Sequence, residues 1–202
     1  MMQQRSVLVL LLTLAPMHLA ACGDDTDGDT DADAGADASA PAATALEYTG
    51  DFTMGDTVAP KHKCLMSVVG SGMGDNISPE LSWRGGPEET MGWAVVLYDT
   101  RWASFHWALW DIPALSRDIP EGIAVGYDVS DPVGAHQVNT RGENEYFGPC
   151  SDAGTLAGVY EYRLHALDTD ELELTETSSP DEAQAAIEAA TIETILWEGT
   201  PE

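Results

Sequence analysis

The hydrophobic pattern in the second half of the chain is that of β-strands. Residues 92–98 form a continuous apolar run of strand length, and residues 104–112 form an aromatic-rich run that ends at Pro113. Apolar and polar side chains alternate in residues 159–167, as in a strand with one buried face. That face would carry Tyr160, Tyr162, Leu164 and Ala166. A shorter alternation of glutamate and leucine predicts another strand at residues 171–174.

One helix is indicated near the C-terminus. Ser179 and Glu182 have the spacing of a capping box, and Pro180 suits the first helical position. The residues that follow place an apolar face on Ala183, Ala186, Ile187 and Ala190. Several strands, one late helix and no alternation of strands with helices predict a mostly β fold, either a β-sandwich or a barrel with a helical addition.

The first 21 residues have the pattern of an export signal. A basic start at Arg5 precedes an apolar run over residues 7–21, which is too short and too interrupted to span a bilayer. The run ends in the sequence LAAC with Cys22 as its last residue, which resembles the lipobox of bacterial lipoproteins. We therefore expect residues 1–21 to be a lipoprotein signal peptide, Cys22 to carry lipid, and the protein to be exported to the bacterial cell envelope, in the periplasm or on the outer surface. An ordinary secretory signal that is cleaved near Ala21 is the alternative.

Residues 22–44 are expected to be an acidic, disordered tether. Seven aspartates and no aromatic residue lie between residues 23 and 44, so this segment has too little apolar surface to offset chain entropy. Alternating aspartates also suggest a calcium loop, but an EF-hand that began at Asp25 would need Gly and Glu at its sixth and twelfth positions. Thr30 and Ala36 stand there instead. A solvated spacer is the simpler interpretation, and residues 45–202 are predicted to form the β domain.

The charge and the cysteines narrow the function further. With 8 Lys+Arg against 35 Asp+Glu, the net charge of −27 repels phosphate backbones and excludes nucleic acid as a partner. If Cys22 carries lipid, Cys64 and Cys150 remain as a disulfide candidate in an oxidising compartment. Two free thiols, or a metal site that uses His62 with Cys64, are the alternatives. The expectation is that the domain has no metal site and no cofactor.

Motifs of catalysis are missing from the sequence. It contains no G-x-S-x-G elbow, no P-loop, no H-E-x-x-H and no dinucleotide fingerprint. His106 is the one histidine of the predicted domain that lies inside an apolar aromatic run, between Phe105 and Trp107. Taken alone, such a histidine is more often a hydrogen-bonded core residue than a ligand-binding one.

Three stretches of sequence change that interpretation. They read DNISPELSW at 75–83, YD at 98–99 with HWALWDIP at 106–113, and YFGPC at 146–150 with YEYRLHALD at 160–168. In this order they resemble the phosphatidylethanolamine-binding protein family, in its bacterial, Raf kinase inhibitor-like branch of the YbhB/YbcL type. The resemblance spans about residues 76–168. It implies two packed antiparallel sheets and a small pocket for phosphate-like or carboxylate head groups.

The resemblance also assigns pocket residues. Asp99 and His106 match the family's pocket pair. Gly148 and Pro149 match the turn that forms one wall of the family's pocket, and Tyr146 lies beside that turn. Tyr160 matches the aromatic residue that follows the family's second pocket histidine. Two departures stand out, because the D-P-D-A-P loop is shortened to residues 99–102 and Gly158 replaces the second pocket histidine. Arg101 is expected to offset the lost donor with a bidentate contact to the anion.

These residues predict a binding protein. A carboxylate beside an imidazole favours the charged ring, and backbone N–H groups near Gly148 are expected to add donors for an anion. The predicted function is a non-enzymatic ligand-binding module for a small anion such as a phospholipid head group, or an inhibitor or regulator of a protein target. The alternatives are a weak hydrolase that uses Asp99 and His106, and a glycan-binding β-sandwich with exposed tryptophans, of which Trp102 in the shortened loop is the candidate.

Overall fold

The computed structural model describes four stretches of the chain, residues 44–50, 57–65, 74–150 and 160–201. The predicted signal peptide, the lipidation site Cys22 and Gly158 lie outside these stretches, and so does the predicted tether except for its last residue.

Nine strands, one 3-10 turn and one α-helix make up the described part of the chain. In chain order they are β1 (Thr44–Tyr48), β2 (Thr57–Val58), the 3-10 turn (Pro60–His62), β3 (Leu81–Gly86), β4 (Gly92–Asp99), β5 (Ser104–Pro113), β6 (Asp118–Ile119), β7 (His136–Asn139), β8 (Tyr160–Leu167), α1 (Pro180–Ala190) and β9 (Thr191–Pro201).

The strands form a six-stranded sheet in the order β2-β9-β8-β4-β5-β7 and a three-stranded sheet in the order β1-β3-β6. All neighbouring strands are antiparallel except β2 and β9. The predicted fold class, mostly β with two antiparallel sheets and one short late helix, is confirmed. Within the described stretches, no helix has the length and apolar character to cross a bilayer.

The six-stranded sheet is buried on both faces. One face packs against the three-stranded sheet, and this core holds Trp83 of β3 together with Trp93, Leu109 and Tyr162 of the large sheet. The other face lies under α1, and its core includes Leu167, Trp110, Ala183 and Ile187. Burial on both sides explains why β4 reads as a continuous apolar run and not as an alternation.

Two local predictions have different outcomes. The helix begins as expected, because Ser179 Oγ accepts from the Glu182 N–H while the Glu182 carboxylate accepts from the Ser179 N–H. The predicted strand at residues 171–174 is wrong. Leu172 is buried, but its N–H donates to Asp111 Oδ1 at 2.9 Å instead of to a neighbouring strand.

A buried histidine in β8 makes the fold sensitive to acid. His165 Nδ1 lies 3.1 Å from Thr191 Oγ1 and 3.2 Å from Thr194 Oγ1. Within the described residues its buried Nε2 has no hydrogen-bond partner. Burial, and to a lesser extent the charge of Arg163, lowers the pKa of His165 from 6.5 to about 4. The unfolded chain then binds this proton more readily than the folded one, so stability rises with pH between about 4 and 6.5.

We expect His165 to account for about 3 kcal/mol of lost stability on going from pH 7 to pH 4. Urea unfolding of the wild type and of His165→Gln at both pH values measures this. The variant should lose about 3 kcal/mol less than the wild type over the same pH range. Equal losses in the two proteins would show that His165 does not titrate as its environment implies.

Candidate ligand-binding site

The structure brings the predicted pair Asp99 and His106 together where β4 turns into β5. His106 Nε2 lies 3.9 Å from Asp99 Oδ2. The imidazole stacks on Phe147, with ring centroids 5.1 Å apart and planes 9° apart, and it meets Tyr160 edge-on at 5.0 Å. Its Nδ1 lies 3.2 Å from the Gly148 carbonyl oxygen. These contacts fix the ring while 12% of its side chain stays exposed.

The bond to Gly148 decides which nitrogen of His106 carries the hydrogen. A carbonyl oxygen only accepts, so Nδ1 must be the donor. In the neutral ring, Nε2 then carries no hydrogen. Its distance of 3.9 Å to Asp99 is too long for a hydrogen bond. Neutral His106 therefore presents an acceptor at Nε2, and it presents a donor there only when it is protonated.

The surroundings favour the neutral ring. Burial lowers the pKa of His106 below 6.5, and this outweighs the Gly148 carbonyl and the Asp99 carboxylate, which act in the opposite direction. The expectation that Asp99 holds His106 in its charged form is therefore wrong. A carboxylate at 3.9 Å attracts the imidazolium too weakly to repay the loss of water around a ring that is largely buried.

Asp99 organises the shortened loop. It is the last residue of β4 and only 1% exposed. Its Oδ1 accepts from the N–H of Arg101 at 2.9 Å and from the N–H of Trp102 at 3.3 Å, as in an Asx turn. The carboxylate thus closes the turn to β5 with one oxygen and faces His106 with the other. These contacts make Asp99 a positioning residue for the imidazole and for the loop.

Asn76 holds the wall of the site, which is formed by residues 146–150. The sequence did not predict this role for Asn76. Asn76 Oδ1 accepts from the Gly148 N–H at 2.9 Å, and its Nδ2 donates to the Tyr146 carbonyl at 2.6 Å. The Cys150 N–H donates to the Tyr160 hydroxyl at 3.2 Å, and Pro149 has no N–H. Of the backbone N–H groups that were expected to serve an anion near Gly148, those of Gly148 and Cys150 are therefore already taken within the protein. The available signal was an asparagine inside the matched motif, since asparagine tolerates the positive φ of 55° found there.

Further contacts tie the wall to the segment that begins with the 3-10 turn. Cys64 and Cys150 form a disulfide with Cα atoms 5.3 Å apart, and the Cys64 N–H donates to the Pro149 carbonyl at 2.9 Å. Tyr146 is buried, and its hydroxyl donates to the His62 carbonyl at 3.0 Å. Tyr146 and Pro149 thus support the wall from behind. The disulfide also excludes the alternative metal site, because Cys64 Sγ is not free to join His62.

Arg101 supplies positive charge near the site. Arg101 is half-buried, and its guanidinium carbon lies 5.0 Å from the centre of the Trp102 ring. Burial and Asp99 raise the pKa of Tyr160 far above 10, and the charge of Arg101 acts against them, so the guanidinium lies within electrostatic reach of Tyr160.

The tryptophans do not form an exposed row. Trp102 is 68% exposed, whereas the other five side chains are buried. These five are Trp83, Trp93, Trp107, Trp110 and Trp197. Trp102 is therefore the one tryptophan with a ring exposed enough to stack on a sugar, and it does not form the row of exposed rings that a glycan-binding sandwich requires.

Taken together, the two packed sheets and the imidazole beside a buried carboxylate are typical of a β fold of the ligand-binding type. Residues 48–202 match the family model described as phosphatidylethanolamine-binding protein. The chain belongs to this family, whose members bind small ligands such as phospholipid head groups.

Similar proteins place the chain in the bacterial and archaeal branch. It is 32% identical over 139 residues to the UPF0098 protein YbhB of Escherichia coli (strain K12). The aligned residues are 65% of this chain and 83% of YbhB. A UPF0098 protein of Methanothermobacter thermautotrophicus is 35% identical over 119 residues, which are 57% of this chain and 76% of the relative. The crystal structure of E. coli YbcL, described as a new member of the mammalian PEBP family, aligns with a TM-score of 0.65 and 26% identity. That alignment covers 78% of this chain and 98% of YbcL.

Proposed function

We propose that this protein is a non-enzymatic binding protein that takes up a small carboxylate or phosphate anion at His106 together with one proton. The observation that carries the proposal is the bond from Nδ1 to the Gly148 carbonyl, which leaves Nε2 without a hydrogen in the neutral ring. Nε2 lies 3.9 Å from Asp99 Oδ2, which is too far for a hydrogen bond.

A proton is needed because the site is otherwise poor for anions. An anion oxygen that approaches Nε2 of the neutral ring would set one lone pair against another, with the Asp99 carboxylate 3.9 Å away. A proton shared between the anion and Nε2 turns this repulsion into a charge-assisted hydrogen bond. Arg101 adds a positive charge near the same site. The anion therefore raises the pKa of His106 when it binds.

A hydrolase that uses Asp99 and His106 fits this geometry less well. A general base needs a nucleophile at one nitrogen and an orienting group at the other. Here the Gly148 carbonyl can orient Nδ1, but the group that faces Nε2 is the Asp99 carboxylate and not a nucleophile.

Lipid attachment at Cys22 and a location in the cell envelope stay predictions from the sequence.

Phosphoethanolamine and acetate are the probes that test the proposal. We expect each, titrated to millimolar concentration, to shift the His106 ring signals in an NMR spectrum of the protein. Because one proton is taken up with each anion, the affinity should change about tenfold per pH unit and be up to about 30-fold higher at pH 6 than at pH 7.5.

Two matched variants complete the experiment. Binding of acetate to these variants is followed by calorimetry, because His106→Asn has no His106 ring signal. His106→Asn should abolish the binding, whereas His136→Asn, which changes a histidine of β7, should preserve it. No movement of the His106 signals at millimolar ligand would remove the anion site. An affinity independent of pH would remove the proton from the proposal while leaving an anion site.

A further inference from the structure

A groove lies at the far end of β5 from His106. Asp111 is five positions after His106 in β5, which is about 16 Å along a strand. The groove there has a volume of about 520 Å³ and is lined by acidic, apolar and imidazole side chains, including Asp111, His136, Asp170, Glu171, Met91 and Val133. This size is in the range of small-molecule sites. None of its lining residues belongs to the site at His106.

Asp111 is a largely buried carboxylate in the lining of this groove, and one of its two oxygens is engaged in a hydrogen bond within the protein. Its side chain is 7% exposed, and Oδ1 accepts from the Leu172 N–H at 2.9 Å. In the part of the chain that the structure describes, Oδ2 accepts no hydrogen bond and lies 3.9 Å from His136 Nε2. Burial raises the pKa of Asp111 from 3.8 to about 6, so the group is still a carboxylate at pH 7.5. Because Asp111 lines the groove and its Oδ1 is taken by Leu172, Oδ2 is the oxygen to which a ligand in the groove would donate.

His136 is held by other contacts and does not satisfy Asp111 on its own. Its ring stacks on Tyr127 with centroids 4.4 Å apart, and its Nδ1 lies 3.2 Å from Asp128 Oδ1 as an ion-pair contact without the geometry of a hydrogen bond. Asp170 and Glu171 are exposed along the lining, and no lysine or arginine is among the residues that the structure places there. The groove therefore presents a surplus of negative charge around an imidazole of fixed orientation.

We propose that this groove binds a small organic ammonium ion whose N–H groups donate to Asp111 Oδ2 and to the acidic side chains of the lining. The acids do not form a metal cage, since the described residues contain no group of three His, Cys, Asp or Glu side chains placed to hold a metal ion. Met91, Val133 and Pro113 also line the groove, and all three are exposed apolar side chains that suit the carbon chain of an amine. Two or more acids in one groove favour a diamine over a monoamine.

The probe is 1,4-diaminobutane, titrated into the protein at pH 7.5 with the ionic strength held constant. We expect a saturable shift of the His136 ring signals below 10 mM, with the His106 signals unmoved. Butylamine should bind more weakly, and 1-butanol, which has the carbon chain without the charge, should not bind. Asp111→Asn keeps the oxygen that accepts from Leu172 but removes the charge, so it should fold and should weaken the diamine at least tenfold.

A matched control separates a built site from general attraction to an acidic protein. Asp131→Asn makes the same chemical change at an exposed acid that does not line the groove, and it should leave the affinity unchanged. The variant Asp170→Asn with Glu171→Gln changes only exposed side chains and should weaken the diamine while the protein stays folded. Equal shifts in all variants, or shifts that sodium chloride reproduces, would show a diffuse counterion effect and overturn the proposal. So would no response at 10 mM.

Discussion

Replacing Cys64 and Cys150 together by serine is expected to lower the free energy of unfolding by about 4 to 5 kcal/mol in the chain-entropy view of disulfides. The bond closes a loop with a sequence separation of 86 residues, so it removes many conformations from the unfolded chain. It also joins the Gly148 wall to the 3-10 turn, so the variant should bind acetate more weakly at His106. Urea unfolding monitored by tryptophan fluorescence measures the first effect, because five tryptophans are buried in the fold.

The third cysteine provides the control for that prediction. In protein produced without the predicted signal peptide, and so without lipid, Cys22→Ser removes a thiol but leaves the Cys64–Cys150 bond, so its unfolding should match the wild type. A reducing agent should bring the wild type close to the double variant and leave the double variant unchanged. A loss below 1 kcal/mol in the double variant would show that the bond contributes little beyond the packing of the wall.

The strands that were predictable are those at the centre of the large sheet. β4, β5 and β8 are buried on one or both faces along most of their length, so their sequences carry long apolar runs or clean alternation. β6 has two residues and β7 has four, too few for any period to show. β9 carries exposed Ile192 and Leu196, so its hydrophobic pattern does not separate an inner from an outer face.

The candidate site was predictable as a set of residues but not as chemistry. The resemblance of the motifs assigned Asp99, His106 and Gly148, and the structure places them within a few ångströms of one another. The protonation of His106 depends on how much water the folded chain removes, and no local pattern states that. The Gly148 N–H is taken by Asn76, which is 72 residues away in sequence. A contact at that distance follows only from the packing of the sheets.

Gly148→Ala is expected to cost about 3 kcal/mol of stability and to disturb His106. A Cβ at this position would lie 2.1 Å from the His62 carbonyl oxygen and 3.0 Å from a ring carbon of Tyr146. Gly148 is not in the left-handed region, so the cost is one of space and not of backbone conformation. Backbone oxygen cannot step aside as a side chain does, so the wall must move as a unit, and overpacking of this kind costs about 1–3 kcal/mol or more.

Gly148→Ala should also change the tautomer of His106, which a general loss of stability would not do. The Gly148 carbonyl fixes the hydrogen of His106 on Nδ1, so a displaced carbonyl releases the ring to take the other tautomer. The nitrogen chemical shifts of the His106 ring report the tautomer directly, and they should change in Gly148→Ala even under conditions where the variant is fully folded.

Gly142→Ala is the matched control, because Gly142 has φ of 76° and a Cβ added there would have no neighbouring atom within 4 Å among the described residues. Its cost is then backbone strain alone, about 1 kcal/mol, with the His106 signals unchanged. If Gly148→Ala proved no less stable than this control and kept the wild-type ring shifts, the wall would be soft enough to accommodate a methyl group. The tautomer of His106 would then have to be set by something other than the Gly148 carbonyl, and uptake of an anion with a proton would lose its structural basis.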